Sequence, residues 1–285
     1  MKLSTIALTL AAAALCFGGA EPNPVGPAPV IQVSHEAIKE GKSAAHEKVE
    51  ADWARTFRSA KFPYHWLGMT PMNGASEAWF VSSYQSFAEM ERSDAQESPA
   101  LRSAAELLEA RDGELRAGSS TQIAVYRKDL SYRADQMNIA KARFAIIGVY
   151  RVKLGHLAEF LAGNKLFLAA MAKSNYPLPI VCYESVTGPQ GVFSFFTPME
   201  SLASLDSMEM YDQKLAEAMG AAKMDQLMKE QGGLFDSIER TFLRISPKMS
   251  YVSEETEKVD PGFWRPKPVA TPAPKPAAAP KPAEK

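Results

Sequence analysis

Two carboxylates and a phenol are the side chains of this sequence with the clearest capacity for chemistry. Glu36, Glu184 and Tyr150 each lie in a segment rich in β-branched and aromatic residues. A carboxylate held in an apolar cavity can act as a general base, and a tyrosine hydroxyl can orient the substrate. The alternative is that both glutamates are solvated residues at strand ends, with no chemical role.

Motifs for other chemistries are missing from the sequence, which has no Gly-rich phosphate loop, no G-x-S-x-G elbow and no cysteine pair. The four histidines, His35, His46, His65 and His156, lack metal-ligand spacing, so neither a metal site nor a cofactor is predicted. His46 and His156 are expected to be exposed near helix starts. His35 and His65 could approach each other across neighbouring strands. Haem ligation by one of the four is an alternative that stays open.

The N-terminus predicts export. Lys2 is followed by an apolar run, 6–17, that is too short to span a bilayer, and then by the small residues 18–20. We therefore predict a signal peptide over 1–20, cleaved after Ala20, and a periplasmic or secreted protein without a transmembrane span. Cys16 leaves open a lipoprotein alternative. If 1–20 is removed, Cys182 is the remaining cysteine, so no intramolecular disulfide can form.

Composition excludes several partners and marks both ends as low-complexity segments. The formal net charge is −1 and acidic and basic residues are interspersed, so nucleic-acid binding is not expected. Residues 21–29 form a Pro-rich linker, and 253–285 are predicted to be a disordered tail rich in Pro, Ala and Lys. The tail could be a tether that contacts anionic envelope polymers through its lysines, or a solvated tail without function.

The sequence between these ends repeats itself. Gly41 and Gly155 differ by 114 positions (155 − 41), and without a gap 31–83 aligns with 145–197. The same offset pairs residues of similar kind: Lys39 with Lys153, Pro63 with Pro177, and Trp79 with Phe193. We therefore predict a first repeat over 30–133, a linker over 134–142 and a second repeat over 143–252.

Each repeat carries the pattern of a ferredoxin-like unit. A β-branched and aromatic strand precedes the turn glycine, Gly41 or Gly155, and a helical stripe then ends at Pro63 or Pro177. A hairpin, a second helical region and a last strand complete the order β-α-β-β-α-β. The predicted fold class is α+β, with two tandem ferredoxin-like repeats that pack sheet to sheet as an intramolecular α/β barrel.

In this doubled pattern, with Gly41 and Gly155 after the first strands and aromatic third strands, the sequence resembles the dimeric α/β-barrel superfamily over roughly 30–252. That superfamily includes antibiotic-biosynthesis monooxygenases, EthD-like and NIPSNAP-like proteins. The resemblance is one of architecture and brings no catalytic motif with it. It implies a shared barrel interior, and it permits a cofactor-independent monooxygenase-like or isomerase activity.

Strand alternation then divides the side chains between the barrel interior and the helix layer. In the first strand, Ile31, Val33 and His35 share one face, while Ser34 and Glu36 lie on the other. Assigning the more polar face to the interior predicts a ligand site lined by Ser34, Glu36, Trp66, Thr70, Phe80, Tyr150, Cys182 and Glu184.

The functional hypothesis is an exported protein that binds a small apolar or aromatic ligand in the inter-repeat barrel. One alternative is an enzyme in which Glu36 or Glu184 is the base and Tyr150 orients the substrate. Another is a structural envelope protein whose barrel is filled by side chains. The sequence leaves the oligomeric state open.

Overall fold

The computed structural model describes residues 26–266. The predicted signal peptide with Cys16, the linker up to residue 25 and the tail beyond residue 266 lie outside the described residues. Between residues 26 and 266, no helix is long and apolar enough to cross a membrane.

Each half of the chain has the predicted order, with its second helical region divided in two. The first half comprises β1 (Val30–Ile38), α1 (Ser43–Ser59), β2 (Trp66–Pro71), β3 (Glu77–Tyr84), α2 (Phe87–Ala95), α3 (Pro99–Gly113) and β4 (Arg116–Tyr126). The second half comprises β5 (Phe144–Val152), α4 (Leu157–Ser174), β6 (Val181–Ser185), β7 (Val192–Met199), α5 (Met208–Met219), α6 (Ala221–Leu234) and β8 (Phe235–Ile245). Two short helices follow, α7 (Glu254–Val259) and α8 (Pro261–Trp264).

The strands close into one antiparallel barrel in the order β1-β3-β2-β8-β5-β7-β6-β4. Each half contributes four neighbouring strands, and the halves join where Met69 of β2 pairs with Ile245 of β8 and where Ala124 of β4 pairs with Ser185 of β6. Closure leaves neither half with an unpaired sheet edge. The predicted fold class, an α+β barrel made from two ferredoxin-like repeats, is confirmed.

Local sequence explains where the helices begin. Gly41 and Gly155 adopt positive φ angles of 72° and 89°, a conformation that glycine reaches without the steric cost of a Cβ, so the chain can turn from β1 and β5 toward the following helices. Ser86 and Ser98 cap α2 and α3 by accepting hydrogen bonds from the first-turn backbone N–H groups. The helices pack in a layer outside the barrel, α1 against α3 and α4 against α5.

The ungapped alignment of the two repeats is wrong after the β2–β3 turn. His35 pairs with Trp79 in the first half, and its counterpart Val149 pairs with Ser194, so Trp79 corresponds to Ser194 at an offset of 115 (194 − 79). The second hairpin turn is one residue longer. Because side chains alternate with period two, this single insertion places Phe193 on the outer face of the sheet, whereas Trp79 faces inward.

The segments at the barrel ends are more ordered than the sequence predicted. Residues 253–266, assigned to the disordered tail, form α7 and α8 and pack on the barrel. The Trp264 indole is 3% exposed and its N–H donates to the Ala140 carbonyl at 2.8 Å. At the other terminus, Ala28 of the predicted linker is buried, and its carbonyl accepts a hydrogen bond from the Tyr183 hydroxyl.

Candidate functional site: the barrel cavity

The barrel encloses a cavity of about 490 Å³. This volume lies in the usual range for small-molecule sites, about 300–1,000 Å³. The interior is therefore not filled by side chains, which argues against a purely structural barrel. The strands contribute a mostly apolar lining: Ile31, Val33, His35, Trp66, Leu67, Met69, Trp79, Val81, Ser83, Gln122, Ala124, Ile147, Val149, Tyr183, Ser185, Ser194 and Phe196.

The sequence-based choice of the inward face is wrong. On β1 the cavity is lined by Ile31, Val33 and His35, so the alternating residues Ser34 and Glu36 point toward the helix layer. The same reversal holds on the other strands. Of the eight predicted site residues, seven do not line the cavity: Ser34, Glu36, Thr70, Phe80, Tyr150, Cys182 and Glu184.

Trp66 is the predicted residue that borders the cavity. Its ring nevertheless packs mainly on the outer side of the sheet. It lies edge-on to Phe57 and to Tyr251, and each pair of ring centroids is 5.3 Å apart. The indole N–H donates to the Met249 carbonyl at 2.8 Å. These contacts fix Trp66 at the rim of the cavity, where it belongs to the hydrophobic core as much as to the site.

The outward-facing residues have structural partners. Tyr150 packs edge-on against Phe195 and Phe235, and Cys182 lies in the same cluster beneath α4. Burial raises the pKa of the Cys182 thiol, which makes it a poor nucleophile. Four more have partners of their own: Phe80 packs on Met249, Ser34 bonds Thr121, Thr70 pairs with Arg244, and Glu184 forms an ion pair with Arg127.

Glu36 belongs to a buried polar cluster under α1, outside the barrel. Its carboxylate contacts His46 Nε2 at 2.8 Å and Arg116 Nη1 at 2.9 Å. His46, which the sequence predicted to be exposed, is 2% exposed. Burial, with the nearby Glu36 and Asp112 carboxylates, raises the pKa of Glu50 well above its usual range. Because the sheet separates this cluster from the cavity, Glu36 cannot act as a base on a ligand inside the barrel.

The chemically distinctive group inside the cavity is His35. Its imidazole stacks on the Trp79 indole, with 3.8 Å between ring centroids and 20° between planes. Glu77 holds this indole by accepting a hydrogen bond from its N–H at 2.8 Å. Burial lowers the pKa of His35, although the Glu77 charge partly opposes the shift. Within residues 26–266 the His35 ring makes no hydrogen bond, so a neutral imidazole can bond a ligand.

His65 lies at the cavity opening and not beside His35. Its ring tilts over Tyr251 at 4.7 Å, and burial lowers its pKa against the nearby Glu255 and Glu257 charges. The strand neighbours of His35 are Trp79 and then Met69, which is four residues beyond His65. At about 3.3 Å per residue, the two histidines are roughly 13 Å apart along the strand direction. The two rings therefore do not approach each other, although the sequence left that arrangement open.

The charge pattern of the lining favours uncharged ligands. No lysine or arginine is among the described lining residues, while the half-buried Glu89 and the exposed Glu255 border the opening. Tyr183 stays neutral, since burial raises the pKa of its hydroxyl. Gln122 lies diagonal to His35 across the β1–β4 ladder, about 7–8 Å away, and adds a neutral donor and acceptor.

One feature of the sequence does indicate this site, but choosing the more polar face of β1 as the inner face led away from it. His35 is the single polar residue on the Ile31–Val33–His35 face of β1, and a lone polar group on an apolar face often orients a ligand in an otherwise apolar pocket. Trp79 was identified only as an aromatic of the third strand. Gln122 and Ser194 carry no sequence pattern that distinguishes them from ordinary strand residues.

Comparisons with known proteins identify the fold of this chain and do not identify its function. No protein-family model and no curated protein matches the chain. Among solved structures, a candidate monooxygenase from Fusobacterium nucleatum is 12% identical, with 77% of this chain and 93% of that chain covered and a TM-score of 0.50. An anthrone oxidase-like protein is 8% identical, with 76% and 91% covered and a TM-score of 0.50. A chlorite dismutase variant from Candidatus Nitrospira defluvii is 9% identical, with 84% and 97% covered and a TM-score of 0.49.

Identities this low establish architecture, and function has to be argued from the site. The candidate monooxygenase and the anthrone oxidase-like protein match nearly their whole length to the barrel described above. The chain therefore has an α/β-barrel, ferredoxin-like fold, with both halves supplied by one polypeptide.

Proposed function

We propose that the barrel binds a small, uncharged and largely apolar ligand that carries a hydroxyl or similar polar group. It rests on the neutral His35 imidazole, which has no hydrogen-bond partner among residues 26–266 and lies inside an apolar cavity of about 490 Å³. Apolar walls supply most of the binding free energy through burial, at roughly 25 cal/mol per Å². The imidazole then selects a ligand whose hydroxyl can donate to it.

A matched set of probes tests this proposal. Naphthalene, 1-naphthol and 1-naphthoate share one ring system and differ in hydrogen bonding and charge. We expect 1-naphthol to stabilise the protein most in a thermal-shift assay, naphthalene less, and 1-naphthoate least, because its carboxylate meets no cationic lining residue. Trp79→Ala should weaken the stabilisation, and the outward-facing Tyr150→Phe should leave it unchanged. Equal responses in both variants would contradict a barrel site.

A second candidate function is proton abstraction from an acidic, electron-rich substrate such as anthrone. The carbanion adds O2 to form a C–O bond, the peroxide anion takes the proton back from the protonated His35, and loss of water from the hydroperoxide leaves the quinone. Neutral His35 favours this function, because an imidazole facing a ligand can accept the proton. Two proteins of the same fold, a candidate monooxygenase and an anthrone oxidase-like protein, support testing oxidation. The predicted bases Glu36 and Glu184 are replaced by His35 here, since both point away from the cavity.

Oxygen consumption with anthrone as substrate tests this activity. A general base contributes about 10²–10⁴-fold, so His35→Gln should lower kcat by at least about 100-fold. Glu36→Gln and Glu184→Gln are matched controls outside the cavity and should retain the rate. Turnover that survives His35→Gln would exclude the assignment of the base.

Haem fits the cavity lining poorly. His35 and His65 could each offer an imidazole nitrogen as an axial ligand. The two anionic propionates, however, would meet no described lysine or arginine of the lining, and Glu89 and Glu255 border the opening. A haemin titration followed by Soret absorbance should therefore show no saturable binding that depends on either histidine.

We also propose that the chain is exported and loses residues 1–20, as the Lys2-led apolar run and the small residues before Glu21 suggest. N-terminal sequencing of protein recovered from the envelope or medium should then begin at Glu21. A chain that retains Met1, or one that is lipid-modified at Cys16, would contradict cleavage after Ala20.

A further inference from the structure

A second polar site lies under the helix layer of the first half, on the opposite side of the sheet from the cavity. It comprises Glu36 of β1, His46 and Glu50 of α1, and Asp112 of α3, and we call it the α1–α3 cluster. One ligand atom from each residue lies within 4.8 Å of the others. Their side chains are 12%, 3%, 7% and 1% exposed, so little water can reach their polar atoms to form hydrogen bonds.

The single hydrogen of His46 Nε2 cannot satisfy the three contacts that this nitrogen makes. His46 Nε2 lies 2.8 Å from Glu36 Oε2, 3.3 Å from Asp112 Oδ1 and 3.8 Å from Glu50 Oε1. An imidazole nitrogen carries at most one hydrogen, which the contact with Glu36 uses. Asp112 Oδ1 is fully buried and has no hydrogen-bond partner in the described structure, although it points at the same nitrogen. An unpaired buried acceptor of this kind is costly.

The charge of the cluster matches a divalent cation. Glu36, Glu50 and Asp112 supply three negative charges when ionised. Arg116 supplies one positive charge and contacts Glu36 and Asp112, each at 2.9 Å. It also forms an ion pair with Glu109, whose side chain is 60% exposed, so water screens that charge. An imidazole that binds a metal ion is neutral, so the four buried side chains and Arg116 then sum to two negative charges. A divalent ion at the point where the four ligand atoms converge would neutralise them and pair with Asp112 Oδ1.

The second half of the molecule shows that the fold does not require this cluster. At the early offset of 114, His46 corresponds to Phe160 (160 − 46) and Glu36 to Tyr150 (150 − 36). Phe160 is 5% exposed and packs on Phe193, with ring centroids 4.6 Å apart. The same architectural position is thus closed there by aromatic packing, which avoids the desolvation cost of buried charges. The polar groups of the first half therefore call for a role of their own.

We propose that the α1–α3 cluster binds a divalent transition-metal ion through His46 Nε2 and one carboxylate oxygen each of Glu36, Glu50 and Asp112. A nitrogen ligand with three oxygens suits Zn²⁺, Mn²⁺ or Fe²⁺ better than Mg²⁺ or Ca²⁺, which prefer oxygen alone. Zinc bonds to such ligands are about 2.0–2.2 Å long, so the four side chains need only small shifts to surround an ion. This site is independent of ligand binding in the barrel.

Calorimetric titration of Zn²⁺ into the chelator-treated full chain tests the proposal. We expect one ion per chain, and a loss of affinity of at least about 10-fold in Asp112→Asn and more in His46→Gln, since each change replaces an anionic oxygen or an imidazole nitrogen with a weaker amide ligand. His156→Gln is the matched control, because His156 is a half-exposed histidine beside Glu159 and should leave binding unchanged. In the unsubstituted protein, Co²⁺ should produce visible absorption bands that Zn²⁺ abolishes.

Folding failure of a variant need not obscure the result. His46→Phe introduces the side chain that the second half carries at this position, and circular dichroism establishes whether each variant is folded. Sub-stoichiometric Zn²⁺ binding to the unsubstituted chain would overturn the proposal. So would affinity that folded His46→Gln or His46→Phe retains, or Mg²⁺ binding as tight as that of Zn²⁺.

Discussion

The His35 imidazole lies flat on the Trp79 indole, 3.8 Å between ring centroids, where the paired strands β1 and β3 face the barrel interior. The stack orients both rings, and the hydrogen bond from the Trp79 N–H to Glu77 fixes the orientation of the indole. The imidazole nitrogens are thereby left to the cavity. This arrangement gives the barrel an apolar wall with one directed polar group.

His35→Phe separates stacking from hydrogen bonding. The phenyl ring can still lie on Trp79, but it offers no acceptor to a ligand hydroxyl. A net hydrogen bond contributes about 0.5–1.5 kcal/mol, so the Kd for 1-naphthol should rise about 2- to 12-fold, while that for naphthalene stays the same. Quenching of tryptophan fluorescence measures both constants. An equal change for the two probes would show that His35 acts through packing alone.

Stability should depend on pH through His35. Burial lowers its pKa in the folded state below the ordinary value of 6.5, so the unfolded chain binds the proton more readily. Stability is therefore retained above about pH 6.5 and lost as the pH falls through 6.5 toward the folded-state pKa. Urea denaturation at pH 7.5 and 5.5 should show a smaller loss in His35→Phe than in the unsubstituted protein. Identical losses would contradict the lowered pKa.

The C-terminal helix α8 should contribute to the stability of the barrel. Trp264 is almost fully buried against the main core and donates a hydrogen bond to Ala140. Replacing a buried tryptophan by alanine costs about 3–5 kcal/mol, so Trp264→Ala should lower the free energy of unfolding by that amount. The exposed Val259 provides the control, since Val259→Ala should change it little. Equal free energies of unfolding in the two variants would show that residues 253–266 do not stabilise the barrel, as expected of a disordered tail.

Gly68 marks a close approach between β2 and the segment after β8. A Cβ at this position would lie 2.8 Å from both the Cβ and the carbonyl oxygen of Met249. These Met249 atoms cannot move aside as the end of a flexible side chain can. Gly68→Ala should therefore destabilise the protein by about 1–3 kcal/mol. At Gly118, also in a strand, a Cβ would meet no atom within 4 Å, so Gly118→Ala should be neutral or slightly stabilising. Chemical denaturation of both variants measures the difference.

The sequence was sufficient for the fold because its information is local and repeated. Gly41 and Gly155 required a turn, Pro63 and Pro177 ended a helical stripe, and the common offset showed that one unit occurs twice. The second hairpin turn was the exception. Without a gap, Trp79 aligns with Phe193, another aromatic residue, so only the pairing of Ser194 with Val149 reveals the additional residue.

The site could not be predicted in the same way, because alternation defines two faces of a strand without identifying the inner one. Both faces of β1 are covered, one by the opposite barrel wall and one by α1. Polarity favoured the face of Ser34 and Glu36, but Glu36 meets its partner His46 under the helix. His46 and Asp112 are 66 residues apart (112 − 46), and only tertiary packing brings them together.

The Kd of 1-naphthol in a cavity-filling variant shows whether the barrel cavity is a ligand site. Val149→Trp adds an indole to the cavity wall, whereas Ile238→Trp adds the same group to an exposed position on the outer face of β8. We predict that Val149→Trp raises the Kd at least about 10-fold, a loss of about 1.4 kcal/mol, and that Ile238→Trp leaves it unchanged. An unaltered Kd in a folded Val149→Trp protein would show that 1-naphthol does not bind in the barrel cavity.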